Sequence, residues 1–140
     1  MLRRVLIVGA GPTGLIAALE LSRLGVPVRI IDKQAAAATT SRAVGVQART
    51  LELFEQRGLA EAMVQLGNPG PAASIYAGGK RVLRLDFSRI DSRYNYSLFI
   101  SQAETECVLR TALEKQGVRI ERGVELVGLA RTRSAAIRTR

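Results

Sequence analysis

The chain has 140 residues and a formal net charge of +9, and 47% of its residues are hydrophobic, a composition typical of one globular domain. It contains one cysteine and no histidine, which excludes disulfide frameworks, histidine-based triads and structural zinc sites, and no metal is expected. We expect a cytoplasmic protein. The cysteine, Cys107, is predicted to be a small buried residue of a helix and not a reactive thiol.

The positive charge is spread along the chain, except in residues 130–140, which hold four arginines and no acid. Elsewhere basic and acidic residues alternate, and the few aromatic residues form no stacking platform. This pattern favours a solvated surface over a nucleic-acid interface.

A glycine-rich turn follows the first apolar run. Residues 5–8 (VLIV) predict a parallel strand that is covered on both faces. Gly9, Gly11 and Gly14 then match G-x-G-x-x-G. The first glycine permits a tight turn, the second lets the backbone approach a pyrophosphate, and the third lets the helix pack close to the strand.

A helix and a second strand complete this unit. The helix, predicted over residues 13–24, directs its N–H groups and the positive end of its dipole at the turn. Residues 28–31 predict a strand, and Asp32 follows it, 23 residues after Gly9. A carboxylate at this place can accept hydrogen bonds from ribose hydroxyls, so the pattern predicts a dinucleotide-binding βαβ unit. The unit alone does not distinguish FAD from NAD(P).

A secretory signal peptide is the competing interpretation of the N-terminus, because Arg3 and Arg4 precede an apolar run. Gly11 and Pro12 interrupt that run, and no small-residue cleavage site follows it. The run is also too short to span a bilayer, so no membrane partner is expected.

Residues 33–45 have no apolar period and predict a loop. Arg42 in this loop is either a ligand-binding guanidinium or an ordinary surface arginine. Helical spacing then predicts helices over residues 46–57 and 59–66.

The pattern changes after the breaker at residues 68–71. Residues 74–77 and 81–87 flank Gly78 and Gly79, and predict a β-hairpin with one buried face.

The last predicted elements are a strand, a helix and two short strands. A strand is predicted over residues 94–100, and Ser101 with Glu104 forms a capping box that begins a helix ending at residue 116. The final strands are predicted over residues 118–121 and 124–129.

Three stretches resemble a known family: VLIVGAGPTGLIAALELSRLGVPVRIIDK, SRAVGVQARTLELFEQRGL and YNYSLFISQAETECVLRTALEKQGVRIERGVELVGL. They are similar to the N-terminal part of the FAD-dependent aromatic hydroxylases, the flavoprotein monooxygenases related to para-hydroxybenzoate and phenol hydroxylases. The resemblance implies an α/β fold: a Rossmann-like FAD-binding βαβ unit with a small antiparallel β-hairpin insertion, forming an incomplete domain.

The resemblance also implies a set of cofactor-binding residues. The positions that match the family are Gly9, Gly11, Thr13 and Gly14 for the FAD pyrophosphate, Asp32 for the ribose, Lys33 near the adenine, Arg42 of the Ser-Arg-Ala motif, Gln102 on the flavin side, and Leu126 for a backbone contact to adenine. It implies FAD as cofactor, NAD(P)H as co-substrate, and a small aromatic substrate for the full-length enzymes. No catalytic acid or base is assigned.

The chain departs from the family in three ways. Asp32 stands where the family usually has Glu, the second FAD segment with its Gly-Asp motif has no counterpart, and residues 130–140 lack apolar alternation. We therefore expect residues 1–129 to be the N-terminal part of an FAD-binding domain, truncated and inactive alone, followed by a disordered basic tail. An NAD(P)-binding oxidoreductase domain and a non-enzymatic basic binding module remain as alternatives, and no oligomeric state is assigned.

Overall fold

A computed structural model describes residues 4–37 and 45–129 of the chain. Arg42 and the predicted tail at residues 130–140 lie outside the described residues. The chain divides into two compact units, one formed by Met1–Thr39 with Leu109–Arg140 and the other by Thr40–Val108.

The elements in chain order are β1 (Val5–Val8), α1 (Pro12–Arg23), β2 (Val28–Asp32), β3 (Gly45–Val46), α2 (Ala48–Glu55), α3 (Ala60–Leu66), β4 (Asn68–Gly70), β5 (Ala72–Ala77), β6 (Lys80–Asp86), β7 (Ser97–Phe99), α4 (Gln102–Lys115) and β8 (Ile120–Arg122).

The first unit contains the predicted βαβ arrangement. Strands β1, β2 and β8 form a parallel sheet in that order, and Asp32 at the end of β2 is paired in register with Arg122 of β8. Helix α1 joins β1 to β2, and its Leu15 and Leu19 are buried, as is Ile30 of β2. The apolar residues of the strands and the helix therefore form one core, and the predicted parallel α/β class is confirmed.

The prediction that residues 5–8 are covered on both faces is wrong. Val5 is 36% exposed and Val8 is 54% exposed. Within the described ranges β1 is an edge strand, because β2 pairs with it on one side and no described strand pairs with it on the other. An apolar run of this kind predicts a strand with both faces covered, but coverage depends on elements that pack on the faces of the sheet, and the described elements leave Val5 and Val8 exposed.

The second unit has an antiparallel sheet in the order β3, β7, β4. Its core includes Leu51 of α2, Met63 of α3 and Leu98 of β7, none of which is exposed. The breaker predicted at residues 68–71 contributes strand β4 because it pairs with β7. The Phe99 ring packs closely over Gly70, so a Cβ at that position would lie 2.3 Å from the ring and the ring would have to move.

The hairpin formed by β5 and β6 is confirmed, but its predicted buried face is not. Gly78 and Gly79 have φ angles of +55° and +73°, as a tight hairpin turn between twisted strands requires. All seven residues of β6 are exposed, including Leu83 at 46%. The alternating leucines give the hairpin an apolar face, but no described element covers it.

Helix α4 begins with the predicted capping box. The Glu104 backbone N–H donates to Ser101 Oγ over 3.1 Å, and the Ser101 N–H donates to Glu104 Oε2 over 3.1 Å. The prediction of a buried Cys107 is wrong, because Cys107 is exposed while Thr105 and Leu109 are buried. At about 100° per residue, position 107 lies on the side of the helix opposite to those two residues.

The segment after α4 forms one strand. Strand β8 covers Ile120–Arg122, close to the strand predicted over residues 118–121. No strand forms over residues 124–129, so that prediction is wrong. Beyond the turn at Gly123, only the N–H of Val124 continues the pairing with β2, through a 3.0 Å hydrogen bond to the Asp32 carbonyl.

Candidate functional site

The turn between β1 and α1 brings backbone into unusually close contact. Gly9 has a φ angle of +101°, which side chains rarely tolerate, and its N–H donates to the Ile31 carbonyl over 2.8 Å. A Cβ on Gly14 would lie 2.0 Å from the Gly9 carbonyl oxygen. Both positions therefore require glycine, and for the reasons expected from the motif, a tight turn and a close helix.

The N-terminus of α1 suits an anion. Gly11 is the N-cap residue and supplies no side-chain cap, Pro12 begins the helix, and the first turn holds no acidic residue. The N–H groups of Thr13 and Gly14 lie in the first turn, where a helix has no internal acceptors for them. Their donors and the helix dipole favour a negatively charged group at this end.

The Asp32 carboxylate is fixed by two backbone donors. Its Oδ2 accepts from the Ala10 N–H over 2.7 Å, and its Oδ1 accepts from the Gln34 N–H over 2.8 Å. The side chain is only 13% exposed. A carboxylate offers about four acceptor positions, so two remain for ribose hydroxyls. Asp32 thus ties β2 to the glycine turn, a role that sequence reasoning did not assign.

Arg122 is a second polar residue that the sequence did not reveal. Its guanidinium nitrogen lies 3.8 Å from Asp32 Oδ2 and donates to the Ala36 carbonyl over 3.3 Å. The pairing of β2 with β8 places the two residues side by side. The signal in the sequence was an arginine at the end of the short strand after the long helix, but the strand register alone identifies its partner.

The other predicted adenosine-side residues lie in this same unit. Lys33 is exposed and directly follows Asp32, at the start of the segment that contains Gln34 and Ala36. Leu126 is half-buried and lies in the irregular segment after β8, not in a strand.

Gln102 belongs to the second unit. It is the first residue of α4, and its side-chain amide donates to Glu106 Oε1 over 2.8 Å. Glu106 is only 5% exposed, so this hydrogen bond satisfies a buried carboxylate. Sequence reasoning missed Glu106, because an acid four residues into a helix ordinarily faces solvent.

These observations fit a ligand with a diphosphate and a ribose. The turn offers backbone donors without side-chain obstruction, and a fixed carboxylate stands at the end of the neighbouring strand. No cluster of potential metal ligands occurs in residues 4–37 and 45–129. The fold and the site therefore define a dinucleotide-binding α/β unit.

Comparison with known proteins identifies the family. Residues 3–138 match the family described as FAD binding domain, and the chain belongs to this family. FAD is accordingly the cofactor of this family, and the resemblance to FAD-dependent aromatic hydroxylases is confirmed.

Individual relatives support the same assignment. The chain is 46% identical over 129 residues to 6-methylpretetramide 4-monooxygenase of Streptomyces rimosus, covering 91% of this chain and 23% of that protein. The structure of the anhydrotetracycline hydroxylase from Streptomyces rimosus is 34% identical, with a TM-score of 0.78 and coverage of 93% of this chain and 26% of that one. A flavin-dependent monooxygenase solved with FAD and substrate is 29% identical, with a TM-score of 0.76 and coverage of 93% and 25%. The chain thus spans about a quarter of the length of these relatives.

Within residues 4–37 and 45–129, no helix combines the length and the apolar character needed to cross a bilayer.

Proposed function

We propose that this chain binds FAD as part of an NAD(P)H-dependent flavoprotein monooxygenase that hydroxylates a small aromatic compound in the cytoplasm. The observation that carries dinucleotide binding is the geometry of the β1–α1 turn, where Gly14 packs directly on the Gly9 carbonyl and Asp32 accepts from the Ala10 N–H. The match of residues 3–138 to the FAD binding domain family favours FAD over NAD(P). The aromatic substrate class is supported by the names of the relatives, which include a pentachlorophenol 4-monooxygenase of Sphingobium chlorophenolicum.

In this proposal the first turn of α1 holds the FAD pyrophosphate. The N–H groups of Thr13 and Gly14 donate to phosphate oxygens, and Gly9 and Gly11 keep side chains out of the space that the diphosphate occupies. Because the donors are backbone groups and the first turn lacks an acid, the site attracts a diphosphate without a lysine.

Asp32 accepts hydrogen bonds from the ribose through its remaining acceptor positions, and exposed Lys33 lies on the adenine side. The family positions Arg42, Gln102 and Leu126 complete the proposed set of cofactor-binding residues. When bound, FAD supplies the transfer of electrons from NAD(P)H and the activation of O2; the protein residues bind and orient it.

We further propose that the 140-residue chain binds FAD but does not turn over by itself. The chain spans about a quarter of its relatives, and the exposed apolar faces of β1 and of the β5–β6 hairpin are surfaces that a complete enzyme would cover. No described residue is proposed as a catalytic acid or base.

Isothermal titration of the purified chain with FAD, NADH and NADPH tests the cofactor. We expect FAD to bind more tightly than either nicotinamide nucleotide, and Asp32→Asn to weaken FAD about tenfold or more, because a charged acceptor is lost. Asp91→Asn, which changes an exposed acid of the second unit, is the matched control and should bind as the wild type does.

Three outcomes would contradict the proposal. Tighter binding of NADH or NADPH would favour an NAD(P)-binding oxidoreductase domain. Salt-sensitive binding to duplex DNA that is lost when residues 130–140 are deleted, without FAD binding, would favour a basic binding module. Robust oxidation of NAD(P)H by the FAD-loaded chain with a phenol would disprove the claim that it is inactive alone.

A further inference from the structure

Arg122 lies beside two parts of the proposed adenosine side of the site, the Asp32 carboxylate and the segment that follows β2. It stands opposite Asp32 in the β2–β8 pairing, its guanidinium lies 3.8 Å from Asp32 Oδ2, and it donates to the Ala36 carbonyl over 3.3 Å. The Arg122 side chain is 21% exposed and the Asp32 side chain 13% exposed, so solvent screens this pair less than it screens surface pairs. Arg122 therefore acts on the carboxylate and on the segment that follows it at the same time.

The segment after β2 depends on β8 for its position. The Gly123 N–H donates to the Gln34 carbonyl over 3.2 Å, and Arg122 adds the contact to Ala36. The residues of this segment from Lys33 to Ala36 are exposed, so few packing contacts hold them. Without Arg122 the segment would keep its backbone link at Gln34 but lose its side-chain anchor at Ala36.

The shorter acid makes this support important. Asp32 has one methylene fewer than glutamate, and the Ala10 N–H holds its Oδ2 at 2.7 Å. The carboxylate consequently has little freedom to move towards a ribose, and its orientation must be set before the ligand arrives. A guanidinium is a planar cation with several donors, so it can attract one carboxylate across 3.8 Å while it donates to a carbonyl.

We infer that Arg122 is a positioning residue for the adenosine end of FAD, acting through the Asp32 carboxylate and the Ala36 carbonyl. The inference rests on the proposed function. Arg122 keeps the Asp32 carboxylate oriented for the ribose hydroxyls, and it holds the segment after β2 where the adenosine lies. It determines specificity for a ligand whose adenosine ribose carries both hydroxyls, and it is not a phosphate-binding arginine.

A cycle that combines variants and ligands tests this role. The 140-residue chain and its Arg122→Ala and Arg122→Lys variants are titrated with ADP and with 2′,3′-dideoxy-ADP, which lacks both ribose hydroxyls. For ADP we expect Arg122→Ala to weaken binding about tenfold, with partial recovery in Arg122→Lys. For the dideoxy ligand we expect a clearly smaller loss, of no more than about threefold, because the hydroxyls that Asp32 would bind are missing and only the contribution of the segment at Ala36 remains. Equal losses for both ligands would show that Arg122 serves only general stability, and would overturn the inference.

Arg29→Ala is the matched control. Arg29 makes a bidentate ion pair with Glu121, with both N–O distances 2.8 Å, and so links the same two strands. Alternation along the strands places this pair on the sheet face opposite to Asp32 and Arg122. We expect Arg29→Ala to change ADP affinity less than twofold. A wild-type chain that binds neither FAD nor ADP would overturn the proposed function and this inference, whereas wild-type binding that Arg122→Ala leaves unchanged would overturn only the inference.

Discussion

Substitution of Gly14 by alanine tests whether the close contact between helix and turn determines the site. Gly14 is the third residue of α1, and a Cβ there would lie 2.0 Å from the Gly9 carbonyl oxygen, 3.1 Å from the Gly9 carbonyl carbon and 3.4 Å from Ile7 Cγ2. The first of these distances is far shorter than any van der Waals contact. Because the nearest atoms belong to the backbone, no side-chain rotation can relieve the overlap.

Two effects of opposite sign decide the stability of Gly14→Ala. Alanine in a helix is favoured over glycine by about 1 kcal/mol. Overpacking of a filled site costs about 1–3 kcal/mol even where side chains can move, and here the turn itself must move. We therefore expect the steric cost to exceed the helical gain and the free energy of unfolding to fall by about 1–2 kcal/mol.

The same displacement should weaken the cofactor. A shift of the Gly9 carbonyl moves the turn that carries the first-turn N–H groups, so we expect FAD affinity to fall about tenfold or more. Urea denaturation measures the first effect and titration calorimetry the second. Gly128→Ala is the control, because a Cβ at Gly128 meets no atom within 4 Å; it should change stability by no more than about 0.5 kcal/mol. A Gly14→Ala chain that is as stable as the wild type and binds FAD equally well would refute the reasoning.

Two further predictions concern the second unit. Ser101→Ala removes the side-chain cap of α4 and should cost about 1 kcal/mol by urea denaturation. The hydrogen bonds from the Ser101 side chain and backbone lower the pKa of Glu104 below its ordinary value of 4.5. The ionised Glu104 therefore stabilises the fold above that pH, and this stabilisation is lost on acidification through the lowered pKa. In Ser101→Ala the loss of stability on acidification should be smaller, and an NMR titration should show a Glu104 pKa closer to the ordinary value. Leu83→Ala on the exposed hairpin should change the free energy of unfolding by no more than about 0.5 kcal/mol, whereas Leu98→Ala in the core should cost about 2–5 kcal/mol, and equal costs would contradict the assignment of the core.

The local elements could be predicted from the sequence because their signals are local. The glycine turn, the Ser101–Glu104 cap and the Gly78–Gly79 hairpin each depend on residues close in sequence, and all three are present in the structure. Burial could not be predicted as well, because it depends on neighbours distant in sequence. The apolar strand Val5–Val8 and the leucines of β6 have the pattern of covered surfaces, yet no described element covers them fully.

In the site, too, the local features could be predicted from the sequence and the contacts between distant residues could not. Backbone geometry requires glycine at positions 9 and 14, so the tight turn could be recognised from the glycines in the sequence. The register between β2 and β8 pairs Asp32 with Arg122 across 90 residues, and nothing in either local sequence specifies that pairing. The carboxylate already accepts two backbone N–H bonds, so binding of a ribose requires no new orientation of the acid and costs little conformational entropy. If Asp32 binds the ribose as proposed, an acid shorter than the usual glutamate can serve in this place because the turn and the following segment hold it through two backbone N–H groups and the paired arginine lies beside it.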